Sequence, residues 1–216
     1  MIEPEYREIY RYLGYKGISP DEETDRRIKK CVADLNRVIT PKHVYESFPL
    51  DTGDGTVRFA GLEVRSNDLI RNLKDSTRIT MLAVTIGHGV DKLIRRAELS
   101  DMLDAAVFQA AGAAMVESYI DSINEQIKQE AKAEGFFLRP RFSPGYGDLP
   151  LSMQADFERI LKMSKNCGIA LTDTYLMVPS KSVTALIGMT SSTEEACSVT
   201  GCESCSMASS CEFKKG

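Results

Sequence analysis

Hydrophobic residues recur at the three- and four-residue spacing of a helix over several stretches of this chain. One such stripe, within residues 21–38, is formed by Ile28, Val32 and Leu35. Cys31 lies beside that stripe and is predicted to be a core thiol. The pattern predicts helices over residues 4–14, 21–38, 66–73, 100–134 and 151–163, and another that begins at Val90.

Runs rich in β-branched residues predict the strands. Asp51 to Gly55 separates residues 44–48 from residues 56–64, and an Asp-Gly turn between such runs predicts a β-hairpin. Further strands are predicted over residues 78–86, 169–176 and 182–189. This mixture favours an α+β fold, a largely antiparallel twisted sheet with long helices packed on it, plus N-terminal helices and a Cys-rich C-terminal tail. We expect three segments, residues 1–40, 41–190 and 191–216.

Composition and charge narrow the range of functions that the chain could have. The chain has 216 residues, of which 43% are hydrophobic and 27% charged, values typical of a globular protein. A net charge of -4 without a basic block gives no electrostatic case for binding nucleic acid or an anionic membrane. No apolar run approaches the roughly 20 residues that span a bilayer, and the N-terminus lacks a signal-peptide pattern. We therefore expect a cytoplasmic protein.

Some glycines and one glutamate stand at unusual positions. Gly87-His88-Gly89 follows a predicted strand, where it favours a tight strand-to-helix turn, with an anion cradle as the alternative. Gly112 lies in mid-helix, which indicates either close packing or a break. Glu117 adjoins the apolar stripe of the same helix, so its carboxylate needs a partner. A neighbouring Lys or Arg would serve, and so would a ligand.

The irregular segment FFLRPRFSPGYGDLP concentrates groups suited to a zwitterionic ligand. Arg139 and Arg141 can grip a carboxylate with paired hydrogen bonds. Pro144-Gly145 allows close approach of the backbone, and Tyr146 offers a ring and a hydroxyl. Asp148 can accept a hydrogen bond from an amine or a ribose hydroxyl. The alternative is a structural turn with surface arginines.

Two runs resemble the motifs of one family. Arg141 to Tyr146 reads RFSPGY and looks like the R-x-x-P-G-Y motif of the activation domain of cobalamin-dependent methionine synthase. Leu171 to Val183 resembles that family's second motif, L-T-[DE]-[ST]-[YF]-x-M-x-P-x-x-S-V. The opening, with Tyr12-Leu13-Gly14-Tyr15, is similar to free-standing members found in anaerobic bacteria.

The resemblance implies an S-adenosylmethionine site in the first motif. Arg141 would grip the methionine carboxylate, and Tyr146 would place its ring and hydroxyl near the sulfonium. Ser143, Pro144 and Gly145 would make backbone contacts with the ligand. Glu117 falls on the helix where the family has a ligand-facing glutamate.

The resemblance also implies a partner. Neither His43 nor His88 lies in the D-x-H-x-x-G motif whose histidine ligates cobalt, and the chain has no room for the homocysteine and folate barrels. We therefore expect a component rather than a complete enzyme, acting on cobalamin (vitamin B12) of a partner corrinoid methyltransferase, the methionine synthase core. In that family, inactive cob(II)alamin is reduced by a low-potential donor such as flavodoxin or ferredoxin and is remethylated by S-adenosylmethionine.

Cysteines crowd the end of the chain. Cys197, Cys202 and Cys205 have C-x4-C-x2-C spacing, and Cys211 completes four ligands. This set suits an iron–sulfur cluster or zinc. The alternative is a tail of redox-active thiols, and the family resemblance does not account for the cluster.

Two further functions stay open at this stage. One is an S-adenosylmethionine-dependent methyltransferase that acts on another substrate without a corrinoid partner. The other is a non-catalytic, metal-binding adaptor or sensor, in which the tail and the ligand loop control docking.

We predict that protein purified without oxygen carries iron with sulfide, or zinc, on the four tail cysteines, because thiolates are the preferred ligands of both. Elemental and sulfide analysis measures this directly. Replacement of Cys202 and Cys205 by Ser serves as the control and is expected to abolish the bound metal. Metal-free protein with four free tail thiols would contradict the prediction.

Overall fold

A computed structural model describes residues 1–15 and 17–192 of the chain. The four tail cysteines, Cys197, Cys202, Cys205 and Cys211, lie outside the described residues. The metal site that their spacing suggests therefore stays a prediction, as do the three segment boundaries drawn from the sequence.

Helices form in every segment where the hydrophobic spacing predicts them. Two predicted starts are capped: the Asp21 carboxylate accepts a hydrogen bond from Thr24 N–H at 2.8 Å, and Ser66 Oγ accepts one from Leu69 N–H at 3.0 Å. A 3-10 turn, Leu151–Met153, precedes the helix that begins at Gln154. The helices are α1 Tyr6–Tyr12, α2 Glu22–Val38, α3 Asn67–Asn72, α4 His88–Glu98, α5 Met102–Ala133, α6 Gln154–Leu161 and α7 Met163–Asn166.

The main sheet has four strands, which are Lys42–Pro49 (β1), Arg78–Thr85 (β4), Ser182–Thr190 (β8) and Phe137–Leu138 (β5), in the order β1-β4-β8-β5. Thr77 N–H donates to Met189 O at 3.0 Å and Ile86 N–H donates to Lys181 O at 3.1 Å, so β4 and β8 run antiparallel. The mixture of this sheet with long helices confirms the α+β class. The strands are β1 Lys42–Pro49, β2 Val57–Phe59, β3 Leu62–Val64, β4 Arg78–Thr85, β5 Phe137–Leu138, β6 Ala170–Leu171, β7 Met177–Val178 and β8 Ser182–Thr190.

The predicted hairpin between residues 44–48 and 56–64 is wrong in its pairing. The first strand pairs with β4, and β2 pairs with β3 around Ala60-Gly61. Both turn residues have positive φ, 50° and 74°, as a tight hairpin turn requires. The Asp-Gly segment forms a loop closed by a single bridge between Asp51 and Arg58. The turn at Ala60-Gly61, within residues 56–64, therefore determines which strands pair.

The predicted strand over residues 169–176 is also wrong. Its first part forms β6, which pairs with β7 in a separate two-stranded hairpin. Thr172 N–H donates to Leu176 O at 2.9 Å, and Tyr175 takes a φ of 63°, which closes the turn. A β-rich composition alone did not reveal this reversal of direction.

The chain forms two compact units. Of the described residues, the first comprises 1–44, 84–124 and 163–183, without residue 16, and the second comprises 45–83, 125–162 and 184–192. Fully buried side chains of the first unit include Ile28, Leu35, Val90, Met115 and Ile120. Those of the second include Leu69, Leu73, Ile79, Met81 and Phe157.

Gly87 and Gly89 lie where the chain leaves β4 and approaches residues 38–40 closely. A Cβ at Gly87, whose φ is 89°, would overlap the hydroxyl of Thr40, and one at Gly89 would overlap the carbonyl of Val38. The pair therefore permits this close approach of the backbone. The chain passes from β4 to α4 within Ile86–Gly87, as the tight-turn interpretation predicted.

Gly112 does not interrupt α5, so of the two predicted outcomes the structure shows close packing. A Cβ there would lie 3.1 Å from Val90 Cγ1 and 3.2 Å from Lys181 Cε. The missing side chain lets α4 and the stem of Lys181 lie against α5. Within the described residues, no helix is long and apolar enough to cross a membrane.

We predict that Gly87→Ala lowers the free energy of unfolding by about 3 kcal/mol, because positive φ and steric overlap add. Gly168→Ala is the matched control: its φ is 72°, yet an added Cβ meets nothing within 4 Å. That control should lose only about 1 kcal/mol. Chemical denaturation measures both, and equal losses would contradict the packing role.

Candidate functional site

The segment that begins at Arg139 is anchored at its start within the second unit. Arg139 N–H donates to Gly188 O at 2.8 Å, and its Nε donates to Asn72 O at 2.8 Å. Asn72 Nδ2 in turn donates to Pro140 O at 3.1 Å. One of the two arginines expected to grip a ligand therefore directs its Nε at the end of α3.

The middle of the segment pairs with β8. Phe142 N–H donates to Leu186 O at 2.9 Å, and Leu186 N–H donates to Phe142 O at 2.8 Å. The Phe142 ring meets the Tyr146 ring edge-on, with centroids 6.3 Å apart and planes at 81°. Tyr146 is nevertheless 62% exposed, so its ring is supported yet open to solvent.

A tight turn joins these aromatic residues. Tyr146 N–H donates to Ser143 O at 3.1 Å, and Gly145 N–H donates to Leu149 O at 2.9 Å. Gly145 takes a φ of 92°, a conformation that glycine adopts without steric cost. Pro144 is buried beside it. The local sequence therefore specifies the turn that presents Tyr146.

Asp148 has a role that differs from the expected one. Predicted to accept a hydrogen bond from a ligand, it instead caps the N-terminus of α3. Its carboxylate accepts from Ser66 Oγ, from Asn67 N–H at 2.7 Å and from Asp68 N–H at 3.2 Å. Asp68 Oδ2 accepts from Asp148 N–H at 3.1 Å, so the two segments hold each other reciprocally.

The same contacts set the electrostatics of the cap. The hydrogen bond from Ser66, reinforced by the backbone N–H of Asn67 and the charge of Arg71, holds the pKa of Asp148 below its ordinary value of 3.8. The carboxylate also faces the positive end of the α3 dipole. An added Cβ at Gly147 would overlap the Asp68 carboxylate, so glycine is needed for this approach.

The chain beyond the loop is fixed by a buried polar pair. Gln154 Nε2 donates to Thr184 Oγ1 at 2.8 Å, and Thr184 Oγ1 lies 3.0 Å from Gln154 Oε1. Both residues are almost completely buried, so unpaired partners would be costly. The sequence pattern did not single out Gln154 or Asn72, because their partners lie far away along the chain.

The predicted ligand residues are distributed as follows. Arg141, Ser143, Pro144, Gly145 and Tyr146 lie together on this one loop of the second unit. Arg141 and Ser143 are half-buried. Glu117 is half-buried on α5 and belongs to the first unit.

The second motif forms an ordered turn in the first unit. Ser180 donates through Oγ and, at 3.2 Å, through its backbone N–H to the carboxylate of Asp91. Lys181 Nζ donates to Gln109 Oε1 at 2.8 Å. Burial lowers the pKa of Lys181, although the charge of Asp91 opposes that shift. Both contacts fix the turn relative to α4 and α5.

An open groove of about 480 Å³ lies elsewhere in the second unit, along Leu50, Asp51 and the β2–β3 hairpin. Arg58 in the groove pairs with Glu63 at 3.0 Å and with Asp51 at 3.3 Å, so its charge is already compensated. None of the predicted ligand residues lines the groove.

Metal binding finds no support in residues 1–15 and 17–192, where no group of three or more His, Cys, Asp or Glu is placed to hold an ion. Cys31 is 2% exposed, and burial raises the pKa of its thiol to about 12. This confirms the predicted core thiol.

Two comparisons with known proteins agree with each other over the larger part of the chain. Residues 63–197 match the family model described as "Vitamin B12 dependent methionine synthase, activation domain". Among solved structures, the chain is similar to the "Crystal Structure of the MetH Reactivation Domain bound to AdoHcy", with a TM-score of 0.64 and 18% sequence identity. That similarity covers 86% of this chain and 73% of the other, and it shows a shared fold. No curated protein matches the chain.

We predict that Asp148→Asn lowers the thermal midpoint at neutral pH, because an amide caps α3 more weakly than a carboxylate. A lowered pKa stabilises the fold above the ordinary value of 3.8 and loses that effect as pH falls through the lowered value. The difference from wild type should therefore shrink in acid. Scanning calorimetry across pH measures it, with exposed Asp54→Asn as the control. A difference independent of pH would argue against the cap.

Proposed function

The chain belongs to the family of activation domains of vitamin B12-dependent methionine synthase, and on that premise we propose that it binds S-adenosylmethionine and supports reductive remethylation of cob(II)alamin on a partner. The observation that carries the proposal is the Arg141 to Tyr146 loop, whose backbone is held by hydrogen bonds while Arg141 and Ser143 stay half-buried and Tyr146 is exposed. The solved neighbour is described as bound to AdoHcy, which is S-adenosylmethionine without its methyl group.

Arg141 is the proposed anchor for the methionine carboxylate. A guanidinium offers two parallel donors that match a carboxylate, and half-burial strengthens such a contact relative to one in open water. The adjacent Phe142 is locked to Leu186 by two backbone hydrogen bonds, so the main chain at Arg141 loses little entropy on binding.

Tyr146 is the proposed neighbour of the sulfonium. Its ring is 62% exposed and is held edge-on by Phe142, so its orientation is set before the ligand arrives. A cation over an aromatic face gains about 1–2 kcal/mol once desolvated. Ser143, Pro144 and Gly145 would supply backbone contacts, and Gly145, which adopts a positive φ, has no side chain that would hinder them.

Glu117 is proposed as a ligand-facing glutamate, because it falls on the helix where the family has one. It is half-buried on α5 and belongs to the first unit. Its carboxylate would suit the ammonium group of an amino acid.

The partner proposed is a corrinoid methyltransferase, the core of a methionine synthase, with a low-potential electron donor such as flavodoxin or ferredoxin. When bound, S-adenosylmethionine would supply the methyl group and the partner's cobalamin the cobalt that receives it. The residues of this chain hold and orient the donor and carry no proton in the step. The chain offers no cobalt-ligating D-x-H-x-x-G motif, which supports a cofactor held elsewhere.

We predict that Arg141→Ala weakens binding of S-adenosylmethionine by about tenfold or more, the loss expected for a paired, charge-assisted contact. Arg141→Lys should recover only part of the affinity, because an ammonium lacks the planar fork. Titration calorimetry measures both.

The control is Arg159→Ala, which removes an exposed arginine paired with Asp156 at 3.2 Å on α6. Its affinity should equal that of wild type. Equal affinities for wild type and Arg141→Ala would remove Arg141 from the site. Absence of binding by wild-type protein would contradict the proposed function itself.

A further inference from the structure

The groove beside the β2–β3 hairpin has an apolar lining that solvent can reach. Phe59 in this lining is buried, Leu50 and Leu62 are half-buried, and Pro49 is exposed. A concave surface of this kind, with a volume of about 480 Å³, is the usual setting in which a ligand or a chain segment is held.

The same groove carries an excess of negative charge. Asp51 and Glu63 line it, and their side chains are 65% and 72% exposed. Both carboxylates pair with one guanidinium, that of Arg58, at 3.3 Å and 3.0 Å. Because one cation faces two anions, the lining residues keep a net negative charge. A fitting occupant therefore combines an apolar side chain with a neighbouring cation.

The part of the chain that follows Ser192 contains one segment of this chemistry. Phe213 is the one aromatic residue among residues 193–216, and it is followed directly by Lys214 and Lys215, the two cations of the same stretch. The other side chains there are small, polar or acidic apart from Val199 and Met207. The Phe-Lys-Lys run is therefore the segment that complements the groove in both respects.

The described chain also leads away from the sheet close to the groove. Thr77 N–H donates to Met189 O at 3.0 Å, and Leu50 N–H donates to Thr77 O at 2.9 Å. Hydrogen-bonded strands lie about 4.8 Å apart, so Met189 lies about 10 Å from Leu50 in the groove. The stretch from Ser192 to Phe213 can extend to about 70 Å, which gives ample reach.

We propose that Phe213 to Lys215 docks in this groove of its own chain, with the ring on the apolar lining and the ammonium groups beside Asp51 and Glu63. A tethered segment has an effective concentration on the order of 1 mM, so a contact too weak to hold a free peptide is still occupied. Docking would close residues 193–212, which carry the four tail cysteines, into a loop anchored at both ends on the second unit. The inference does not depend on the proposed function.

A single reporter tests the contact in the full-length chain. The sequence contains no tryptophan, so Phe213→Trp introduces one whose fluorescence reports its own surroundings. Docking should shift its emission to shorter wavelength than that of a synthetic peptide of residues 209–216 with the same substitution, because the ring leaves water. Dilution should not change the shift, since the contact lies within one chain.

The charged half of the contact is tested with Asp51→Asn/Glu63→Gln in the reporter protein. This pair should lower the ratio of docked to free segment by about fivefold, the effect of two exposed ion pairs. The matched control, Glu125→Gln/Glu134→Gln, removes two exposed carboxylates outside the groove that are also paired with cations. It should change the ratio by less than about twofold.

A variant of the segment leaves the folded groove unaltered. Lys214→Glu/Lys215→Glu in the reporter protein should lower the ratio of docked to free segment by about fivefold or more, because attraction becomes repulsion. Both losses should shrink at about 0.5 M salt, where exposed charges are screened.

Three results would overturn the proposal. The first is emission from Phe213→Trp that equals that of the peptide, which would leave the groove without this segment. The second is equal emission from the reporter protein and from both charge variants of the contact. The third is a shift that disappears on dilution, which would assign the groove to the segment of a second copy.

Discussion

The carboxylate of Asp148 on the N-terminus of α3 is the contact on which the candidate site depends. It joins the end of the candidate-site loop, residues 139–150, to Ser66 and Asn67, which lie about 80 residues earlier in the chain. Asp68 completes the contact by accepting from the backbone of Asp148. The loop begins with an equally firm anchor, because Arg139 donates to Gly188 and Asn72. A segment rich in Gly and Pro is thereby kept in one conformation.

Hydrogen bonds hold the backbone of the loop in place, while the side chain of Tyr146 remains available to a ligand. Tyr146 stays open to solvent although Phe142 sets its orientation. Binding then costs little ordering entropy, which is where a fixed loop contributes most to affinity. The chain belongs to the family of activation domains of B12-dependent methionine synthase. Placement and electrostatics are what a protein contributes when bound groups carry the reaction.

Elements with local signals could be predicted, and those that depend on distant partners could not. The stripe from Ile28 to Leu35 defines α2, and the apolar run of β4 marks a central strand. The loop could be singled out because Arg139, Arg141 and Tyr146 stand within a segment rich in Gly and Pro. The role of Asp148 could not be predicted, because an aspartate that caps a helix and one that binds a ligand look the same in the sequence. Only the fold brings the N-terminus of α3 next to it. The prediction that residues 56–64 form one strand was wrong, because a two-residue turn at Ala60-Gly61 divides them into β2 and β3, which pair with each other.

Transfer of the methyl group tests the central claim most directly. Isotope-labelled S-adenosylmethionine would be incubated under reducing conditions with a methionine synthase that lacks its own activation domain and carries cob(II)alamin. The account predicts that label appears on the cobalamin when this chain is added and stays at background without it. Equal labelling with and without the chain, while S-adenosylmethionine binding is intact, would contradict a role in reactivation.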